Sequence, residues 1–244
     1  MPNLWTFGCS FTANYKMYHF NDGVESGDLK YSKFRGGNLP SVWPTILANK
    51  LGYRLSNMGS LGDSNNQIFK RFCETCPMIQ PGDLSIIEWT FMERFMIAAS
   101  TLEGDALLTA SPHNVNLPIG KEASVNMFIN RSKLIWTSEI YAFENIIDEL
   151  AKTKGFGAFY WSVDHRIING EPEEFRNKRK YLFNECNEGM LDYLQKNYGA
   201  QTISDETKHL LTDEHYGEVG HRVIAEKFYE DLLLKGIKIH RNII

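Results

Sequence analysis

Leu4-Trp5-Thr6-Phe7-Gly8-Cys9-Ser10-Phe11-Thr12 stands almost at the start of the chain. Its first four residues form a short apolar run with β-branched and aromatic side chains, the composition of a buried strand. The run breaks at Gly8, the residue that most easily takes a sharp turn, and Ser10 follows two positions on. In an open α/β sheet, ligands bind outside the carboxyl ends of the strands, so this reading puts Ser10 at a ligand-binding edge. A serine hydroxyl is a weak nucleophile until a base takes its proton. The candidate base lies near the other end of the chain, in Leu211-Thr212-Asp213-Glu214-His215-Tyr216-Gly217. Asp213 and His215 are two positions apart, and in extended backbone such side chains point to one side. Asp213 would hold one imidazole nitrogen of His215 while the other faces Ser10, the arrangement of nucleophile, base and orienting acid. Cys9 is the alternative nucleophile, should its thiol ionise.

Working outward, strand-like and helix-like segments alternate. Ser41-Val42-Trp43-Pro44 opens a helix with Ser41 as the expected N-cap, Trp43, Ile46, Leu47 and Leu51 share one helical face, and Gly52 ends it. Tyr53–Met58 alternates as a second strand. A glycine-bearing turn through Gly59 and Gly62 then leads into a helix containing Ile68, Phe69 and Phe72. Such strand-to-helix turns present free N–H groups to an anion. Leu84–Trp89 is a near-continuous apolar run, as expected of a parallel strand buried on both faces, with Glu88 as its odd residue, facing the cleft or paired with Arg94. A helix follows over 132–154, a strand over 158–163, a helix over 181–197, a short last strand at 200–203 and a helix over 218–234. This alternation predicts an α/β fold in one domain spanning 1–244, with a central parallel sheet and insertions at about 13–40, 95–130 and 164–180. The first insertion, soon after Ser10, would overhang the site.

Composition narrows the function. With 244 residues, 43% hydrophobic and 23% charged, the chain has the make-up of an ordinary globular domain. A net charge of -4 offers no field for nucleic acid or anionic membrane. No apolar run approaches the ~20 residues a membrane span needs. With no signal-type segment at the start, a cytoplasmic location is expected. The four cysteines, Cys9, Cys73, Cys76 and Cys186, make no disulfide framework. Cys73 and Cys76 have redox or zinc spacing, but no second Cys or His pair sits nearby, so no metal site is expected.

Phe7-Gly8-Cys9-Ser10-Phe11-Thr12 resembles the Gly-Asp-Ser-Leu nucleophile block of the SGNH (GDSL-type) hydrolases. Asn57-Met58-Gly59-Ser60-Leu61-Gly62-Asp63-Ser64 is similar to their second block, whose glycine gives a backbone N–H to the oxyanion hole. Asp213-Glu214-His215, followed by Gly220-His221 and an amphipathic helix, resembles their C-terminal Asp/His block. The three blocks fall in family order. The resemblance implies a three-layer α/β/α, flavodoxin-like fold. It implies a catalytic triad of Ser10, His215 and Asp213, with the N–H groups of Ser10 and Gly62 as oxyanion donors and no metal or organic cofactor. Two departures stand out. The family spaces its Asp and His one residue further apart. Its third block, Gly-x-Asn-Asp, is missing: the third strand runs instead into Phe91-Met92-Glu93-Arg94, so the oxyanion hole lacks the family's Asn donor. Trp89, Glu93 and Arg94 lie where that Asn belongs and are candidate substrate contacts.

The resemblance implies an esterase acting on a small-molecule or glycan ester, and the aromatic and polar insertions favour a polar acyl ester over a long lipid chain. An acyltransferase on the same site and a non-catalytic binding module of the same fold are the alternatives; the missing Asn favours the latter. A flavodoxin-like nucleotide binder would need a glycine-rich phosphate loop, and Gly8-Cys9-Ser10-Phe11-Thr12 is too poor in glycine.

Overall fold

Every residue of Leu84–Trp89 is buried, so this run can only be a central strand with side chains packed on both faces. The computed structural model describes residues 1–17, 19, 23–91, 94–101, 104–110, 133–163, 181–182, 190–199, 202–207 and 215–240. In chain order the elements are β1 (Asn3–Phe7), α1 (Gly27–Phe34), α2 (Trp43–Leu51), β2 (Arg54–Asn57), α3 (Asn65–Thr75), β3 (Leu84–Trp89), β4 (Phe95–Thr101) and β5 (Gly104–Ala110). They continue with α4 (Lys133–Lys154), β6 (Gly157–Ser162), α5 (Met190–Tyr198), α6 (Ile203–Thr207) and α7 (Glu218–Leu234). A short 3₁₀ turn, Cys76–Met78, extends α3.

The main sheet has the order β2-β1-β3-β6, and all its described pairings are parallel. From β1 the chain first moves outward to β2, then crosses back to β3 on the other side. The strand order reverses between β1 and β3, which opens a crevice at their carboxyl ends. Side chains alternate along β3. Leu84 and Ile86 join one core with Leu4, Trp43, Leu47, Trp161, Ile224 and Phe228, which lies under α2 and α7. Ile87 and Trp89 join a second core with Phe7, Phe72, Ile140, Ile147 and Tyr160, under α3 and α4. Helices thus cover both faces of the sheet in a three-layer α/β/α arrangement. Among the described residues, no helix is long and apolar enough to cross a membrane.

Four local expectations are corrected. The stretch beginning at residue 95, read as an insertion with no assigned element, contains an antiparallel hairpin, β4 with β5. Of the expected last strand at 200–203, the described residues form only a bridge between Thr202 and Tyr216, and helix α6 starts at Ile203. The Asp205 carboxylate accepts from both the Thr202 N–H (2.7 Å) and its hydroxyl (3.0 Å), a local cap that outcompetes strand pairing. Tyr181, read as a helix start, bridges to Tyr160 alongside the sheet, and the Leu182 N–H donates to the Tyr160 carbonyl (2.7 Å). Ser41 does not cap α2. The cap residue is Val42, which makes no side-chain cap bond, and the Trp43 N–H donates instead to Nδ1 of His221, brought in by α7 (3.3 Å).

Candidate active site

The turn after β1 is held by its own backbone: the N–H groups of Thr12 (3.1 Å) and Ala13 (3.0 Å) both donate to the Cys9 carbonyl. Further ties come from α2, from β2 and from the loop after β2. Trp43 Nε1 donates to the Phe11 carbonyl (3.0 Å), Asn57 Nδ2 donates to the Thr12 carbonyl (2.8 Å), and the Ser60 N–H donates to the Gly8 carbonyl (3.0 Å). Gly8 is required by close approach, because a Cβ there would lie 2.5 Å from Oε2 and 2.7 Å from Cβ of Glu88. Ser10 sits on this turn, half-buried, and lines a cleft of about 270 Å³ at the carboxyl end of the sheet.

The second block reaches the same cleft. The Gly59 N–H is taken by the Asn57 side chain (3.0 Å), which leaves the turn around Gly62 to face the site. Gly62 lines the cleft with φ of 76°, the left-handed region that a side chain would strain. Just beyond it, Ser64 and Gln67 form a capping box that fixes the start of α3, and Asp63 pairs with Arg71.

From the far end of the chain, His215 enters the cleft at the approach to α7. Its carbonyl accepts from the Ile203 N–H (2.9 Å), and its ring stacks on Phe11, 4.8 Å between centroids. The ring therefore lies directly beside the serine turn. His221, in the first turn of α7, also lines the cleft but is buried. Burial, with His215 nearby, lowers its pKa to about 3, so it stays neutral and its Nδ1 remains a lone-pair acceptor for the Trp43 amide. A neutral cap acceptor held in place in this way is a structural histidine. Asp213 and Glu93 lie outside the described residues.

The residues expected around the missing Asn divide. Arg94 lines the cleft. Its guanidinium lies over the Phe91 ring (5.2 Å) and donates to the Thr90 hydroxyl (3.3 Å). Thr90 is itself gripped by Asn65, whose amide accepts from the Thr90 N–H (2.7 Å) and donates to its carbonyl (3.2 Å). Trp89 is not a cleft residue. It is fully buried against α4, and its indole N–H donates to Glu144 (2.6 Å). Strand parity explains this correction: Trp89 shares a face with Ile87, whereas Glu88 takes the opposite face and points beneath the serine turn.

Glu88 is fully buried. One carboxylate oxygen accepts from the Cys9 thiol (2.7 Å), the other from the Thr12 hydroxyl. Burial raises the Glu88 pKa to about 7, although the two hydrogen bonds and Arg94 favour the anion. Burial, reinforced by the Glu88 charge, pushes the Cys9 thiol up to about 12. A thiol so protonated and enclosed is no nucleophile at neutral pH, which leaves Ser10 as the candidate nucleophile of the turn. As expected of the segment over 13–40, Asn14, Tyr15, Ser26 and Asp28 line the cleft; sequence reading did not single out Tyr216 beside His215, which lines it too. Among the described residues no cluster of His, Cys, Asp and Glu is arranged to hold a metal ion.

No family model and no curated protein matches the sequence. Solved structures do match in shape. A Desulfitobacterium hafniense protein, described as a member of the lipolytic G-D-S-L family, is similar over 95% of this chain and 100% of its own, at 12% identity and a TM-score of 0.50. The YXIM protein of Bacillus subtilis is similar over 98% of this chain at 14% identity and a TM-score of 0.51. This chain spans 58% of that protein's length. Layers, strand order and these likenesses together give the chain the three-layer α/β/α fold of the SGNH (GDSL-type) proteins. The resemblance read from its three sequence blocks is matched by its fold.

Proposed function

We propose that the protein is a serine hydrolase of the SGNH kind that cleaves an acyl ester, with Ser10 as nucleophile, His215 as general base and Asp213 as the acid that orients the imidazole. The observation that carries this reading is the convergence of Ser10, Gly62 and His215, from three distant parts of the sequence, on one cleft at the carboxyl end of the sheet. In the reaction, His215 takes the Ser10 proton as Oγ attacks the acyl carbon, then returns it to the leaving alcohol. A water activated by the same imidazole hydrolyses the acyl-enzyme. The N–H groups of Ser10 and Gly62 receive the developing oxyanion, and Arg94 supplies the third donor in place of the family's Asn. A guanidinium suits that role because it is always charged and carries several donors.

The cleft wall supports a small polar substrate, such as a carbohydrate O-acyl ester, over a long lipid chain. Asn14, Ser26, Asp28 and Arg94 all contribute to it, and its volume of about 270 Å³ is modest. The test is covalent labelling with a fluorophosphonate, followed by mass spectrometry of the modified peptide. The expected result is one adduct on Ser10, absent in Ser10→Ala. A folded protein that takes up no label, or takes it elsewhere, would overturn the assignment.

A further inference from the structure

A carboxyl group beneath a nucleophile turn is costly to bury, and this one is buried completely. The surrounding geometry is built to receive it. Gly8 has no side chain where a Cβ would strike Glu88, and the two oxygens are satisfied by separate residues of the same turn, Cys9 and Thr12. Those two residues flank Ser10. Glu88 is carried by the central strand β3, which is buried and paired with β1 on one side and β6 on the other. Both oxygens are bonded, and each bond spans from β3 to a loop about eighty positions away in sequence.

We infer that Glu88 is a positioning residue for the Ser10 nucleophile: by gripping Cys9 and Thr12 from the sheet, it fixes the turn that holds Ser10 in the cleft it shares with His215. Glu88 touches no substrate and transfers no proton. The inference rests on the hydrolase reading for what the positioned serine does. The tie between strand and turn stands independently of it. The charged and titratable groups that face Glu88 are Cys9 from the turn, Arg94 from beyond β3 and Tyr216 from the approach to α7. Arg94 favours the anionic form, while the raised pKa of Tyr216 means that its phenol adds no second negative charge.

The experiment compares Glu88→Leu, Glu88→Gln and Thr12→Val with the wild-type chain. Glu88→Leu removes both bonds; Glu88→Gln keeps the shape and the capacity to bond without the charge; Thr12→Val cuts one bond from the turn side should Glu88→Leu fail to fold. The first readout is hydrogen exchange at the Thr12 and Ala13 amides, both bonded to the Cys9 carbonyl, which requires no activity. The second is the rate of fluorophosphonate labelling at Ser10, together with kcat and KM on a short-chain ester. The expected outcome is faster amide exchange in Glu88→Leu and Thr12→Val. Labelling and kcat should fall by up to about 10²-fold, the penalty for misplacing a reacting group by about an ångström, at nearly constant KM. Glu88→Gln should recover most of that loss, and Glu88→Leu combined with Thr12→Val should lose less than the product of the two single losses. Unchanged exchange and unchanged labelling in both Glu88→Leu and Thr12→Val would overturn the inference. Loosened amides in a protein whose wild-type Ser10 never reacts would support the tie and remove the hydrolase reading instead.

Discussion

Among the described residues two glutamates are buried, one on each side of the sheet. Glu88, on β3, sits under the cleft and is bonded to Cys9 and Thr12. Glu144, on α4, accepts from the Trp89 indole (2.6 Å) and the Tyr181 hydroxyl (2.6 Å) on the opposite face. Both are shielded from water and both are gripped by side chains distant in sequence. What separates them is what they hold. Glu88 grips the loop that carries Ser10, the proposed nucleophile. Glu144 ties a long helix to the indole of Trp89 on β3 and to the phenol of Tyr181 beside the sheet. A buried carboxylate is therefore not in itself a mark of chemistry; its partners decide.

The largest effect should come from the cleft face alone. Ser10→Ala should lower ester turnover by ~10⁴–10⁶ while thermal unfolding stays where it was, because a half-exposed hydroxyl adds little stability. Steady-state kinetics beside a melting curve checks this, and substantial turnover surviving in Ser10→Ala would erase the functional half of the contrast.

Arg94→Ala comes next. As the third oxyanion donor, Arg94 should contribute roughly 10²–10³ in kcat with little change in KM, since its bond forms in the transition state. A raised KM at constant kcat would instead make Arg94 a contact for an acidic group of the substrate.

On the back face the loss should be of stability only. Glu144→Leu leaves the Trp89 and Tyr181 donors buried and unmatched, which costs about 1–3 kcal/mol in denaturant unfolding. The rate of fluorophosphonate labelling per folded molecule should not move. Slower labelling in Glu144→Leu would show that the two faces are coupled through the sheet.

The smallest effect sharpens the contrast by pH. Glu88 holds its proton up to about pH 7, against 4.5 for an ordinary glutamate, so its share of stability is full below 4.5 and is lost as pH rises through 7. His221 refuses a proton down to about pH 3, against an ordinary 6.5, so its share is full above 6.5 and is lost as pH falls toward 3. Between 4.5 and 6.5 the two slopes oppose one another. Glu88→Gln removes one of them. Relative to wild type, its stability should gain with rising pH across that window by at most about 1.4 kcal/mol per unit. Urea unfolding at several pH values checks this, and a difference between the two proteins that does not vary with pH would show that Glu88 does not titrate there.

Much of the fold was legible because it rests on local rules. Leu84–Trp89 could only be an interior strand, Gly8 had to be a turn, and the apolar spacing over 218–234 matches α7 to the residue. Ser10, Gly62 and His215 were also legible, each from a short block, and the cleft brings them together. The misses have physical causes. Trp89 was placed in the cleft by analogy with a family block, although the two-residue period of β3 sends it to the back face and gives the cleft side to Glu88. Strand pairing between β4 and β5 depends on the partner strand more than on either segment's own pattern, so the hairpin read as irregular chain. Helix α2 finds its cap on His221, 178 positions away, where Ser41 was the local choice.

The sequence by itself determined the alternation of strands and helices in the parallel sheet, the glycine turn and the candidates Ser10, Gly62 and His215, because propensity, periodicity and turn chemistry act over a few residues. Tertiary structure alone decided that Cys9 is inert, that His221 is a neutral cap, and that Glu88 lies beneath the serine turn. Each of these depends on burial and on a partner many residues away. No local pattern records whether a thiol, an imidazole or a carboxyl group will be desolvated, and desolvation is the first cause of all three shifts.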